Sequence, residues 1–339
     1  MTTEQNPDRI ARALYRAVSL PGAEPPYNNA CLKIFYPARY GDTPEERNSG
    51  VIPADPSAGA CPVVIMLPGI NLSPESYNWL AANLALRGVV TVMPSLVAEE
   101  MPGYVSLTPG LSIAALTPEQ YGDSPSATLL GPILEFLKSL NTQAPLAGSM
   151  DLSKIILGGH SAGGTVALLN ARSDWAPGLA GAFSYGAHTA AATALGHPED
   201  HYFVIAADVP VLVMGGTRDG CIANSAARYG VEASAEDETH AATDKLVQTF
   251  ERSLTRNAGD SHLVLINGAN HFALAWPEDG GTGRPFIDFD TVGDAAELRR
   301  LLADLIGAFC TDLGNDASPQ ALNATCRDAG QLIADHRCR

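Results

Sequence analysis

Short, continuous apolar runs recur along the chain, and amphipathic stretches of helical period separate most of them. Runs of this kind, closed by Pro or Gly, are typical of strands buried on both faces of a sheet. The runs lie at 30–36, 62–67, 89–93, 154–157, 180–185, 211–214 and 262–266. The amphipathic stretches lie at 73–88, 128–140, 163–172, about 232–256 and 295–310. This alternation predicts an α/β fold with a mostly parallel central sheet and helices on both faces.

Two stretches interrupt the alternation. Residues 41–60 are rich in Pro, Gly, Ser and charge, which predicts a surface loop. Residues 97–127 contain several prolines and no sustained period, and they are longer than a typical connection. We predict that this second stretch is either a lid over a site or a structureless loop. No stretch resembles a linker between separate cores, so 1–339 is interpreted as one domain with an insertion at 97–127 and a C-terminal tail at 311–339.

The composition of the chain argues against several classes of function. The chain is 46% hydrophobic and 17% charged, as in globular proteins, and its 21 basic and 37 acidic residues give a formal charge of −16. This acidic balance argues against binding to nucleic acid or to anionic membrane surfaces. No apolar run approaches the ~18 residues of a membrane span. Residues 1–18 lack the pattern of a signal peptide, so the cytoplasm is the expected compartment.

The spacing of the cysteines and histidines bears on whether the chain has a metal or redox site. The six cysteines have no C-x-x-C spacing, so neither a zinc ribbon nor a thioredoxin-type site is expected. Three of them lie near the C-terminus, at Cys310, Cys326 and Cys338. In an oxidising compartment two of these three are candidates for a disulfide, and in the cytosol all three should be free thiols. His188, His197 and His201 lack the spacing of metal ligands, and we expect neither a metal nor an organic cofactor.

The strongest chemical signal is Gly159-His160-Ser161-Ala162-Gly163, a G-x-S-x-G motif between an apolar strand and a helix. In this context the serine occupies a tight turn. Side chains two residues away on either side would collide there, so both positions need glycine. The first N–H groups of the following helix point toward the serine, where an oxyanion would form. The motif therefore predicts Ser161 as a nucleophile.

A serine nucleophile needs a base, and the base needs an orienting carboxylate. Asp219 comes just after a predicted strand, at the end of the sheet where open α/β folds place their sites, and it is predicted as the acid. His271 comes just after the next predicted strand and is predicted as the base. Asp208 and His262 are alternatives, but each precedes its strand and so lies at the opposite edge. His160 is predicted to pack beside the nucleophile.

An oxyanion needs two backbone donors. The N–H of Ala162, the residue after the nucleophile, is predicted as the first donor. The loop after the strand at 62–67 reads Pro68-Gly69-Ile70, and the N–H of Ile70 is predicted as the second donor.

These residues resemble the α/β-hydrolase superfamily, and within it the group of polyester hydrolases (cutinase-like), chlorophyllases and platelet-activating-factor acetylhydrolases. The similarity spans roughly residues 30–310 and rests on FYP at 35–37, the PG-containing stretch at 67–95, GGHSAGG at 158–164, Asp219, and NHF at 270–272. The resemblance implies the α/β-hydrolase fold with its triad and oxyanion hole. The functional residues of the family carry over to Ser161, Asp219, His271, Ile70 and Ala162.

The chain departs from this group at the site itself. Polyester hydrolases usually have Met after the serine, and chlorophyllases have a GHSRGG-type motif, whereas this chain has Ala162. The Trp-His pair of polyester hydrolases is replaced by Tyr-Gly-Ala-His at 185–188. Together with the long segment at 97–127, these differences favour a smaller or lipid-like ester over a polymer.

The expected activity is hydrolysis of a carboxylic ester through an acyl-enzyme intermediate. A thioesterase, acyltransferase, lactonase or peptidase would use the same triad with a different pocket. A dehalogenase would need aspartate at position 161. A binding protein on a hydrolase scaffold is the non-enzymatic alternative.

Overall fold

One mixed sheet forms the centre of the molecule. The structure, a computed structural model, describes residues 8–101, 103–225, 229, 238–314 and 319–339. The strands of this part of the chain are β1 (Arg9–Ser19), β2 (Asn29–Arg39), β3 (Cys61–Leu67), β4 (Val90–Met101), β5 (Tyr104–Thr108), β6 (Met150–His160), β7 (Leu179–Tyr185), β8 (Val211–Arg218), β9 (His262–Asn270) and β10 (Ile333–Cys338). Their order in the sheet is β1-β2-β4-β3-β6-β7-β8-β9-β10, and β5 pairs with β4.

The central strands are parallel and the edge strands are antiparallel. From β4 to β9 each neighbouring pair in the sheet is parallel. At one edge β1 and β2 run antiparallel, and at the other edge β10 runs antiparallel to β9. The parallel strands contain the continuous apolar runs, because both of their faces are buried. The prediction of an α/β fold with a mostly parallel sheet is confirmed.

Helices cover both faces of the sheet. The described helices are α1 (Pro44–Ser49), α2 (Asn78–Leu86), α3 (Leu130–Leu140), α4 (Ala162–Leu169), α5 (Gly220–Ala223), α6 (Glu238–Gln248), α7 (Ala295–Gly314) and α8 (Gln320–Ala329). Apolar side chains of α3, α4 and α6 join one core, and those of α2, α7 and α8 join the other. In the described ranges no helix combines the length and apolarity needed to cross a membrane. The helix expected at about 232–256 is described from residue 238 onward; its first part lies outside the described residues.

Segment 97–127 has more structure than a loop. Its first part continues β4 and turns back as β5, with Leu96 opposite Thr108 in an antiparallel ladder. Its later part forms an isolated bridge between Leu111 and Ala127. The paired residues of this segment are therefore not a structureless loop, because their backbone groups have strand partners. The hairpin of β4 and β5 is called the β4–β5 hairpin below.

The C-terminal tail expected at 311–339 is largely regular structure. Residues 311–314 complete α7, and the chain then forms α8 and β10, which pairs with β9 and extends the sheet. All six cysteines are free thiols. The expected surface loop at 41–60 contains the short helix α1, which the side chains of Thr43 and Glu46 cap reciprocally.

Candidate active site

Three of the sequence-predicted residues lie at one edge of the sheet, at the carboxyl ends of parallel strands. Ser161 follows β6, Asp219 follows β8, and His271 follows β9. Because β6, β7, β8 and β9 are consecutive neighbours in the sheet, these ends meet at the same edge. The structure therefore brings the three loops together, as the strand order alone required.

Ser161 lies in a strained turn between β6 and α4. Its backbone angles are φ 55° and ψ −126°, outside the regions that non-glycine residues usually adopt. Such a residue costs on the order of 1–3 kcal/mol, which the surrounding packing must supply. Its N–H donates to the backbone oxygen of Tyr185 on β7 at 3.0 Å. This contact fixes the turn against the neighbouring strand.

The two glycines of the motif are needed because backbone lies against them on both sides. A methyl group on Gly159 would lie 2.1 Å from the backbone oxygen of Gly163. A methyl group on Gly163 would lie 2.3 Å from the backbone oxygen of Leu67. The start of α4 is thus pressed directly onto the loop after β3, which contains Ile70. The crowding predicted from the G-x-S-x-G spacing is present in the structure.

Asp219 and His271 form a buried hydrogen-bonded pair. His271 Nδ1 lies 2.8 Å from Asp219 Oδ2, and both side chains are almost fully buried. The other carboxylate oxygen of Asp219 accepts the N–H of Ile222 at 2.8 Å, which fixes the carboxylate at the start of α5. A carboxylate only accepts, so Nδ1 carries the proton and Nε2 is left as the basic nitrogen. Burial lowers the pKa of His271, but the charges of Asp219 and Asp288 and the hydrogen bond that His271 donates to Asp219 outweigh it, so the net pKa is raised.

A directional chain of hydrogen bonds links the loop of Ile70 to the loop of His271 through His160. His160 Nε2 lies 3.0 Å from the backbone oxygen of His271, so Nε2 must be the donor. Burial, followed by the nearby His271, holds the pKa of His160 well below its usual value, so the ring is neutral and its Nδ1 accepts. Tyr77 Oη is 2.9 Å from that Nδ1 and donates to it, while the N–H of Gly69 donates to Tyr77 Oη at 3.0 Å. His160 therefore packs beside Ser161, as expected, and also bridges two loops.

The two predicted oxyanion donors belong to segments that touch each other. Ala162 is the first residue of α4, where an N–H has no acceptor within its own helix. Within the described ranges neither the N–H of Ile70 nor that of Ala162 donates a hydrogen bond to a backbone oxygen. A methyl group on Gly69 would lie 3.3 Å from Ser161 Cβ, so the loop before Ile70 lies close to the serine. The two predicted donors therefore belong to segments that meet at Ser161.

The β4–β5 hairpin is fixed to the same loop. Asn71, with φ 60°, donates its N–H to the backbone oxygen of Leu107 at 2.8 Å, and its side-chain oxygen accepts the N–H of Leu107 at 3.3 Å. The side-chain amide of Asn71 also donates to Tyr104 Oη at 3.2 Å. The hairpin thus lies directly beside Ile70. Of the two interpretations of segment 97–127, the lid remains a prediction.

Asp208 and His262, the alternatives to the predicted acid and base, lie away from this edge of the sheet. Asp208 accepts hydrogen bonds from Ser173, ahead of β8 at the opposite edge. His262 Nδ1 lies 3.1 Å from His336 Nε2, between β9 and β10. His197 bonds the backbone oxygen of Leu116 and stacks on His201, whereas His188 packs edge-on against Tyr229. These histidines therefore do not converge on one point.

One group among the described residues has the spacing of metal ligands. Atoms of Asp219, Cys221 and His271 lie within 4.8 Å of one another. However, Nδ1 of His271 is already bonded to Asp219. Burial and the charges of Asp219 and Asp288 raise the pKa of the Cys221 thiol, which keeps it protonated and a poor ligand. The bonding of this group therefore does not favour a metal site.

Sequence reasoning did not identify three residues that hold this site together. Tyr77 is part of the series of hydrogen bonds that runs through His160. Tyr185 accepts the N–H of Ser161 with its backbone oxygen and donates its hydroxyl to the backbone oxygen of Asn270 at 2.6 Å. Asp288 bonds the backbone next to both Asp219 and His271. Each acts across a long sequence separation, so no local motif marks it.

No protein-family model matches the chain, and no curated protein is significantly similar to it.

Proposed function

We propose that this protein is a serine hydrolase with the α/β-hydrolase fold, and that it cleaves carboxylic esters through an acyl-enzyme. The observation that carries the proposal is the 2.8 Å hydrogen bond between His271 and Asp219, at the sheet edge where Ser161 also lies. A buried Asp–His pair leaves Nε2 as a base. A serine in a strained turn at the start of a helix is the nucleophile that such a base activates.

The proposed reaction has two halves. Ser161 Oγ attacks the carbonyl carbon while His271 Nε2 takes the hydroxyl proton, and the N–H groups of Ile70 and Ala162 stabilise the negative oxygen. The tetrahedral intermediate then expels the alcohol, which receives the proton from His271, and the acyl group stays on Ser161. Water attacks this acyl ester as His271 accepts its proton. The carboxylic acid leaves, and Ser161 recovers its proton from His271.

The surroundings of the site support an ester with an apolar part as the substrate. The β4–β5 hairpin is hydrogen-bonded to Asn71, next to the proposed oxyanion donor Ile70. It exposes Val97, Tyr104 and Val105. Exposed apolar side chains on a hairpin bonded to the residue after Ile70 provide contact area for an acyl chain or an apolar alcohol.

The test is turnover of p-nitrophenyl esters from acetate to palmitate by the wild type and Ser161→Ala. We expect the substitution to lower kcat/KM by roughly 10⁴-fold or more, since a nucleophile of this kind is not replaceable. Ser184→Ala is the matched control: Ser184 is buried on β7, and its hydroxyl has no hydrogen-bond partner among the described residues. That variant should keep wild-type turnover.

Labelling with a fluorophosphonate gives a second measurement that does not depend on the choice of ester. We expect Ser161 to be the labelled residue in the wild type. The proposal is contradicted if the folded wild type turns over no ester and no thioester and is not labelled at Ser161. Turnover of thioesters alone would replace the ester substrate with the thioesterase alternative while keeping the triad.

A further inference from the structure

A segment after β9 runs across the loops that hold Asp219 and His271. We call residues 287–292 the crossing segment. It is bonded to the ends of β8 and β9 and to α5 by four hydrogen bonds: Arg218 Nε to Asp290 O, Asn224 Nδ2 to Ile287 O, Asn270 Nδ2 to Phe289 O, and Val292 N to Gly268 O. The crossing segment therefore touches both strands that precede the proposed acid and base.

Within this segment, one side chain contacts both loops. Asp288 Oδ1 accepts the N–H of Gly220, the residue after Asp219, at 2.7 Å. Its Oδ2 accepts the N–H of Phe272, the residue after His271, at 3.1 Å. A single carboxylate thus joins the backbone positions next to the acid and the base. Because its two oxygens are held by one rigid carbon, they fix the separation of the two loops.

The contact at Gly220 leaves no room for a side chain. A methyl group on Gly220 would lie 2.5 Å from the backbone nitrogen of Phe289 and 2.7 Å from the backbone carbonyl carbon of Asp288. The crossing segment is therefore packed against the backbone directly after Asp219, and Asp288 lies in this contact.

The charge of Asp288 also acts on the pair. Burial, with the nearby Asp219, raises the pKa of Asp288 to about 6, although His271 and two N–H groups oppose this. In turn, the negative charge of Asp288 raises the pKa of His271. The other titratable or charged groups that act on or lie around the His271 ring are Asp219, Arg284, Cys221, His160 and His188.

We propose that Asp288 is a positioning residue of the Asp219–His271 pair: its two oxygens hold the acid loop and the base loop at a fixed separation, and its negative charge stabilises the imidazolium that His271 becomes during the reaction. This inference rests on the proposed function. It adds a second carboxylate, which touches no reacting atom, to the one in the triad.

The experiment compares Asp288→Asn, Asp288→Glu and a control, Asp290→Asn. The Asn variant keeps the shape and loses the charge and one acceptor oxygen. The Glu variant keeps the charge and displaces the oxygens. Asp290 is an exposed acid on the same segment, two residues away. The measurements are kcat/KM of the best ester against pH, and the NMR titration of the His271 ring in histidine-labelled protein.

The proposal predicts that Asp288→Asn lowers kcat roughly 10- to 100-fold, as small misplacements of catalytic groups do. It also predicts that the acid limb of the profile and the His271 titration both move to lower pH, because a charge that favours the imidazolium is gone. Asp288→Glu should lower kcat while keeping the acid limb near its wild-type position. Asp290→Asn should change neither quantity.

An unchanged His271 titration in Asp288→Asn, with a uniform loss of rate at every pH, would overturn the proposal and leave Asp288 a structural turn residue. If Asp288→Asn does not fold, a wild-type kcat in Asp288→Glu overturns it, since the geometry would then be irrelevant. The NMR titration needs no turnover. It therefore tests this inference even if the wild type hydrolyses no ester.

Discussion

Replacing Tyr77 with Phe tests the hydrogen-bond chain from Gly69 through His160 to the loop of His271. The hydroxyl of Tyr77 accepts from Gly69 N–H at 3.0 Å and donates to His160 Nδ1 at 2.9 Å. Both neighbours are buried. Tyr77→Phe removes only the oxygen and leaves a donor and an acceptor without partners. The perturbation is therefore confined to one atom and two hydrogen bonds.

The magnitude follows from those two groups. Each buried polar group left without a partner costs about 1–3 kcal/mol, so the two groups together should lower the free energy of unfolding by about 2–6 kcal/mol. With an unfolding entropy of about 2.1 cal/mol/K per residue, a chain of 339 residues loses about 1.4 °C of Tm per kcal/mol. The expected decrease in Tm is therefore roughly 3–8 °C. Because the loop of Ile70 loses its anchor, kcat for esters should fall by roughly 10-fold or more.

Tyr36→Phe is the matched control. Tyr36 is also buried, and its hydroxyl donates only to the backbone oxygen of Ile52, at 2.7 Å. That substitution leaves one group without a partner, so it should cost about 1–3 kcal/mol, half the loss expected for Tyr77→Phe, and leave kcat unchanged. The assays are calorimetry for Tm and ester turnover. Equal Tm losses in the two variants, or a Tyr77→Phe protein with wild-type kcat, would refute the reasoning that this chain supports the site.

Two further predictions concern pH and packing. The proposed base acts when it is neutral, and its pKa is raised above the ordinary value of 6.5. The value of kcat/KM should therefore be low in acid and rise with pH through a midpoint above 6.5. A midpoint at or below 6.5 would contradict the argument. Gly163→Ala places a methyl group 2.3 Å from a backbone oxygen that no rotamer change can move, so soluble folded protein or ester turnover should be lost. Gly131→Ala, on an exposed position of α3 with open space around it, should fold and turn over normally, and equal behaviour of the two variants would argue against the crowding.

The central strands could be predicted from the sequence because their burial is complete. The runs at 62–67, 154–157, 180–185, 211–214 and 262–266 all lie within strands of the structure. Burial on both faces demands apolar residues at every position, so the pattern is visible without knowledge of the neighbours. The structure extends these strands at their ends, where polar residues continue the ladder.

The edge strands could not be predicted in the same way. β1 mixes Arg with Ala and Leu, and β10 reads Ile-Ala-Asp-His-Arg-Cys. Edge strands are half exposed, so their sequences carry polar residues and resemble loops or weak helices. β5 is a strand because it pairs with the end of β4. The sequence of one segment does not show which other segment it pairs with, so this strand could not be predicted from its own residues.

Local spacing in the sequence determined which residues are candidates for the site. The tertiary structure decided which other residues hold those candidates in place. Ser161 was identifiable from two glycines that flank it, and Asp219 and His271 from their places after apolar strands, because these constraints act within a few residues. The roles of Tyr77, Tyr185 and Asp288 arise from hydrogen bonds to residues distant in sequence or on neighbouring strands. Such contacts depend on how the strands are ordered and how the loops cross. Only the folded chain brings those atoms within bonding distance, and for that reason the sequence by itself left them unmarked.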